Sequence, residues 1–122
     1  TTDIKAVLEF ADVIVLAIPS QTLRENLESW KGFFPTELPI ISTLKGIEVH
    51  TQLRMTEVAQ EILGADKSRF GLITGPNLAS EIITRQPAGA VVASENPQLI
   101  ELQGFPSLFG WKEIEWHCWH RG

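Results

Sequence analysis

Apolar residues recur along this chain in two rhythms, a helical spacing and short unbroken runs, and the two alternate. Ile4, Val7, Leu8 and Ala11 follow Asp3 at helical spacing, which predicts a short helix capped by the Asp3 carboxylate. The run Val13 to Ile18 is almost continuously apolar and rich in β-branched residues, as expected of a strand buried on both faces of a parallel sheet. Pro19 ends it. Ser20 is then placed to cap a helix reaching about Trp30, with Leu23, Leu27 and Trp30 on one side and Arg24, Glu25 and Glu28 largely elsewhere.

The same grammar repeats. Pro39 to Leu44 reads as a second buried strand, and Thr51 is expected to cap a helix whose stripe of Leu53, Val58, Ile62 and Leu63 ends at Gly64. Phe70 to Thr74 predicts a third strand; Gly75-Pro76 turns the chain, and Asn77 opens a helix carrying Leu78, Ile82 and Ile83. Ala88 to Ala93 predicts a fourth strand, whose direction the pattern leaves open. Strands separated by helices of this length imply right-handed parallel crossovers and an open α/β sheet. From about Gly104 the grammar stops: Trp111, Trp116, His117, Cys118, Trp119 and His120 crowd into a tail with neither period. The expected organisation is therefore a partial domain over 1–103 and an atypical tail over 104–122, read as a non-native end from a shifted reading frame or a foreign sequence.

Composition narrows the function classes. With 122 residues and 43% apolar content the chain has the size of one domain. Acidic residues outnumber basic ones 15 to 10, for a net charge of -5, so no electrostatic footprint for nucleic acid or an anionic membrane is expected. The single Cys118 cannot form an internal disulfide, and no apolar stretch approaches the roughly 20 residues that span a bilayer, which fits a cytoplasmic protein. His117, Cys118 and His120 fall short of the four ligands at recognisable spacing of a structural zinc site, so no metal is expected. Thr1 in place of Met, with no leader ahead of the first helix, reads as an internal fragment.

In an open parallel sheet, ligands bind beyond the carboxyl ends of the strands, which directs attention to the residues just after each strand. Pro19-Ser20-Gln21 offers a helix N-terminus to an anionic group, beside the plain alternative of a capped turn. In Lys45-Gly46-Ile47-Glu48 a cation follows a buried strand, and Gly46 lets a backbone approach a ligand closely. Lys45 can hold phosphate or stabilise negative charge developing on an oxygen; the plain alternative is a lysine solvating the sheet edge. Gly75-Pro76-Asn77-Leu78-Ala79 makes a third strand-to-helix junction with small residues.

Taken in order, A-D-V-I-V-L-A-I-P-S-Q, L-K-G-I-E, E-I-L-G, I-T-G-P-N-L-A-S-E and A-V-V-A-S resemble the soluble bacterial NAD(P)-dependent glycerol-3-phosphate dehydrogenases over about residues 1 to 100. The resemblance implies the second half of a Rossmann-like N-terminal domain, with the first strands and their G-x-G-x-x-G loop absent. The implied reaction passes hydride between NAD(P)H and dihydroxyacetone phosphate to give sn-glycerol 3-phosphate, feeding glycerophospholipid synthesis. Carried over by motif, Lys45 contacts cofactor and substrate and acts in catalysis, Gly75 and Asn77 line the substrate site, and Ala79 and Pro19 touch the cofactor. Asn77 stands where the family often has Ser or Thr, and an amide also donates and accepts. The proton-transferring lysine of the family lies in a helical domain beyond this chain, so the fragment alone is expected to be inactive. The resemblance also implies a homodimer when full-length. Two alternatives stand beside it: another Rossmann dehydrogenase of the 6-phosphogluconate type, and a non-catalytic nucleotide-binding module. The choice between NAD and NADP stays open, because the residue that reads the ribose follows a strand absent here.

Overall fold

The structure, a computed structural model, describes residues 1–76, 78–86, 88–103 and 114–119; for residues 88, 102, 103 and 114–119 it describes the backbone. Its elements are α1 (Ile4–Glu9), β1 (Ile14–Leu16), α2 (Leu23–Trp30), β2 (Ile40–Ser42), α3 (Met55–Leu63), β3 (Phe70–Thr74), α4 (Ala79–Ile83), β4 (Ala88–Ser94), α5 (Pro97–Gln103) and β5 (Ile114–Trp119). Short 3-10 turns precede and follow α2 and lead into β3.

The strands form one sheet in the order β1-β2-β3-β4-β5. β1, β2 and β3 are parallel, with Ile14 beside Ile40 and Ile40 beside Phe70. β4 runs antiparallel to β3, and β5 runs parallel to β4. The α/β class holds and the parallel sheet holds over its first three strands, while β4 reverses direction after only the five-residue helix α4. Residues 75–87 separate β3 from β4, about the dozen that a parallel crossover needs including its helix, so the length of this link does not by itself set the reversal. The expectation that the tail carries no strand is corrected at 114–119, where β5 pairs with β4 along Ala88 to Ala93. Ile114-Glu115-Trp116-His117-Cys118 does alternate apolar with polar residues, a short strand signal that the crowding of Trp, His and Cys in the tail obscures.

Alternation along the strands divides the core between two faces. Ile14, Leu16, Ile40 and Phe70 point to one face and pack with Leu23 and Leu27 of α2 and Met55, Val58 and Ala59 of α3. Ile41, Ile73, Ala90 and Val92 point to the other and pack with Ile100 of α5. Helix α5 has no counterpart among the sequence expectations, although Asn96 accepts the Gln98 N–H at 3.0 Å and Pro97 occupies the first helical position. β1 is an edge strand, and Val15 is 42% exposed rather than buried on both faces as expected. Leu78 and Ile83, apolar residues expected on the helix after β3, are likewise exposed.

Helix ends follow local chemistry. Asp3 caps α1 as expected, accepting from the Lys5 and Ala6 amides. Gly64 ends α3 in the left-handed region at φ 58°, where glycine carries little strain. Thr51 does not cap α3: the helix starts at Met55, and Glu57 accepts the Arg54 N–H at 2.9 Å. Ser20 does not cap α2 either, because a 3-10 turn over Ser20–Thr22 intervenes and its hydroxyl bonds elsewhere.

Candidate active-site edge

Because β1, β2 and β3 are parallel neighbours, their carboxyl ends open on one edge of the sheet, and the three junctions singled out from sequence emerge there side by side. Pro19 follows β1, Lys45 and Gly46 follow β2, and Gly75 follows β3. Side chains join these junctions. The Ser20 hydroxyl donates to the Lys45 carbonyl at 2.6 Å, and the Lys45 ammonium donates to the Gly75 carbonyl at 2.9 Å. A cleft of about 420 Å³ opens beside Lys45 and Gly46, floored by Leu72, Thr74 and Ala93 and walled by Met55 and Gln60. Pocket volumes of this order accommodate small metabolites.

The two glycines of the edge serve different needs. Gly46 adopts φ 98°, a conformation costly for any residue with a Cβ, although open space surrounds it. Gly75 has an ordinary φ but lies against β4: a Cβ there would fall 3.0 Å from the Ala90 Cα and closer still to the Gly89 carbonyl oxygen. Ala79 begins α4 and is exposed, as is Pro19. Asn77 lies outside the described residues.

A polar network fixes the segment after Gly46. Gln21 donates to the Ile47 carbonyl at 2.9 Å and accepts the Val49 N–H at 3.1 Å. Arg24 makes a two-point pair with Glu48, both contacts at 2.9 Å, and reaches Glu61 at 2.9 Å. Thr51 donates its hydroxyl to the Glu48 carboxylate. Glu48 is only 8% exposed, so its charge requires these partners. The Arg24 guanidinium, with Thr51, lowers the Glu48 carboxyl to about 2. The reciprocal bonds hold Arg24 firmly protonated. The sequence pattern sets Arg24 only away from the apolar side of its helix, and residues 24 apart give no local sign that they pair. The available signal was topological, since adjacent parallel strands bring their exits together.

The bare helix N-terminus expected after β1 is corrected. The Thr22 N–H bonds the Pro19 carbonyl, the Leu23 N–H bonds the Ser20 carbonyl, and the polar side chains of Ser20 and Gln21 turn onto the neighbouring loop. Among the described residues no group of His, Cys, Asp and Glu could hold a metal ion, and no helix is long and apolar enough to cross a membrane. The His117 and Cys118 side chains and the whole of His120 lie outside the described residues.

Residues 1–100 match the family described as NAD-dependent glycerol-3-phosphate dehydrogenase N-terminus. The chain belongs to this family. A glycerol-3-phosphate dehydrogenase [NAD(P)+] of Corynebacterium urealyticum is 44% identical over 98 residues, covering 80% of this chain and 30% of the relative. One of Thermobifida fusca is 47% identical over 98 residues, covering 80% of this chain and 29% of the relative. The crystal structure of a glycerol-3-phosphate dehydrogenase from Coxiella burnetii superposes with a TM-score of 0.72 at 25% identity, covering 95% of this chain and 34% of that one. The chain thus spans about 30% of the length of the curated relatives it matches. Family membership favours the dehydrogenase reading over a 6-phosphogluconate-type enzyme or a non-catalytic module.

The residues present suit part of a dinucleotide site. Lys45 with the left-handed Gly46 offers a cation and close backbone approach at the exit of a parallel strand.

Proposed function

We propose that this chain supplies the substrate-facing edge of an NAD(P)-dependent enzyme that interconverts dihydroxyacetone phosphate and sn-glycerol 3-phosphate. The observation that carries this reading is the hydrogen-bonded line from Ser20 through Lys45 to Gly75, which gathers the three strand exits around one cation beside an open cleft. When bound, the nicotinamide supplies the hydride that goes to the substrate carbonyl carbon. The carbonyl oxygen then gathers negative charge, and the Lys45 ammonium stabilises it from a position fixed before the reaction begins. Lys45 faces cofactor and substrate together, Gly75 and Asn77 line the substrate side, and Pro19 and Ala79 line the cofactor side. The proton that completes the new hydroxyl comes from a group outside this chain, in a second domain of the complete protein. That protein works as a cytoplasmic homodimer, and its product feeds glycerophospholipid synthesis. Residues 104–122 stand apart from this assignment, as a segment whose native origin sequencing of the adjacent DNA in all frames would establish.

Replacing Lys45 with Ala in the complete protein is expected to lower turnover by about 100-fold or more, the scale of losing one preorganised charge-stabilising donor. Steady-state kinetics with dihydroxyacetone phosphate and NADH or NADPH measures this. A change under about threefold in both turnover and Michaelis constant, far below that scale, overturns the assignment.

A further inference from the structure

Resting on the Lys45 reading above, we infer that Ser20 and Gln21, braced by the Arg24–Glu48 pair, are positioning residues for Lys45. Together they hold segment 45–49 so that the ammonium group stays at the sheet edge.

A lysine side chain has four rotatable bonds, so its amine is placed reproducibly only if its backbone is fixed. The backbone at Lys45 is poorly fixed by its own sequence. β2 ends at Ser42, and Gly46, at φ 98° with no atom within 4 Å of a would-be Cβ, leaves the next peptide free to swing. Three bonds from the neighbouring strand exit bracket that glycine. Ser20 holds the carbonyl of Lys45 on one side at 2.6 Å. On the other, the Gln21 amide donates to Ile47 and accepts from Val49, engaging the loop backbone with the donor and acceptor that a paired strand would offer. One residue further, Glu48 is anchored to α2 through both its oxygens, and its own backbone accepts from Gln52 and donates to Leu53. The segment is thus tied at 45, 47, 48 and 49, and the Lys45 amine reaches from it to the Gly75 carbonyl after β3.

Ser20 and Gln21 are poor candidates for a role in the core. Ser20 is partly exposed, Gln21 is exposed, and both act on backbone atoms more than 20 residues away. Their removal leaves the apolar packing of Leu23 and Leu27 intact. What it changes is where Lys45 sits, and a displacement near 1 Å at a reacting group lowers rates by about 100-fold.

The test is a double-mutant cycle in the complete protein, comparing Ser20→Ala with Gln21→Ala, singly and together, in the native and Lys45→Ala backgrounds. The paired change is expected to lower turnover about 10-fold or more in the native background and under about twofold when Lys45 is already gone, the non-additivity of residues acting through one another. Ser20→Thr keeps the hydroxyl and is expected to restore most of the loss from Ser20→Ala. A second measurement is independent of activity: limited acetic anhydride labelling, read by mass spectrometry, with Lys31 as reference. Labelling of Lys45 is expected to rise about fivefold in the paired variant while Lys31 is unchanged, since freeing one loop opens it locally. Equal losses in both backgrounds, or unchanged Lys45 labelling, overturn the positioning role. If Lys45→Ala itself leaves turnover intact, the functional reading falls, and with it the positioning role; the labelling result then reports only whether the clamp exists.

Discussion

The exits of β2 and β3 lie side by side on one edge, yet they are held by opposite means. After β2, polar side chains from a neighbouring element lace a loop into place, centred on a nearly buried Glu48 with three side-chain bonds. After β3, no comparable network exists among the described residues, and steric closeness takes its place: Gly75 lies against the backbone of β4, and Pro76, Leu78 and Ala79 beyond it are exposed. A loop held by directional bonds can present a cation reproducibly at a reacting atom. A junction held by close contact presents main-chain groups and leaves no room for side chains. The two arrangements suit a charge-bearing residue and a surface that lets substrate approach.

Substituting the two glycines breaks this contrast most directly. Gly75→Ala is expected to lower unfolding free energy by about 3 kcal/mol, the upper part of the overpacking range, because the atoms it meets are backbone of a paired strand. Gly46→Ala is expected to cost about 1 to 2 kcal/mol, from backbone strain alone, since space is free around it. Urea unfolding of both variants measures the order. A Gly46→Ala loss exceeding that of Gly75→Ala reverses the comparison.

Acid sharpens it. The Arg24 guanidinium holds the folded-state Glu48 carboxyl at about 2, while an unfolded glutamate titrates near 4.3. Its folded value is depressed, so its stabilising contribution is complete above the unfolded value and is lost as pH falls through the window from about 4.3 to 2. Glu48→Gln is therefore expected to give a melting temperature that falls less steeply than the native one between pH 5 and pH 3. A parallel fall in both proteins shows that this pair contributes nothing to the acid response. Glu57, lowered to about 2 by Arg54, titrates in the same window and keeps some slope in the variant.

Much of the fold was legible wherever one local signal settled the matter. β3 was expected over the residues it occupies, the Gly64 stop and the Asp3 cap follow from backbone chemistry, and the alternation of strands and helices named the class. The misreadings at Thr51 and Ser20 share one cause. A hydroxyl at a helix start is a good cap, but here each is committed to another acceptor, Glu48 three residues earlier in one case and the distant Lys45 carbonyl in the other. For the same reason the candidate site was only partly legible. Lys45 and Gly75 were singled out by motif, whereas Arg24 and Gln21 bond residues more than 20 positions away and carry no sign of it in the sequence around them. The reversal of β4 was illegible because the apolarity of a strand carries no direction and the link before it is long enough for either course.

That reversal constrains how the gene for this segment can change length. β4 enters the sheet at the edge where β1, β2 and β3 leave it, so the link from α4 delivers Gly89 and Ala90 against Gly75 just ahead of the Thr74–Val91 pair. A single codon added or lost there would slide β4 by one residue and exchange its faces, turning Ala90 and Val92 away from Ile73 and Ile100. Length variation in relatives should therefore gather in other connections, and this link should keep its length even where its residues differ.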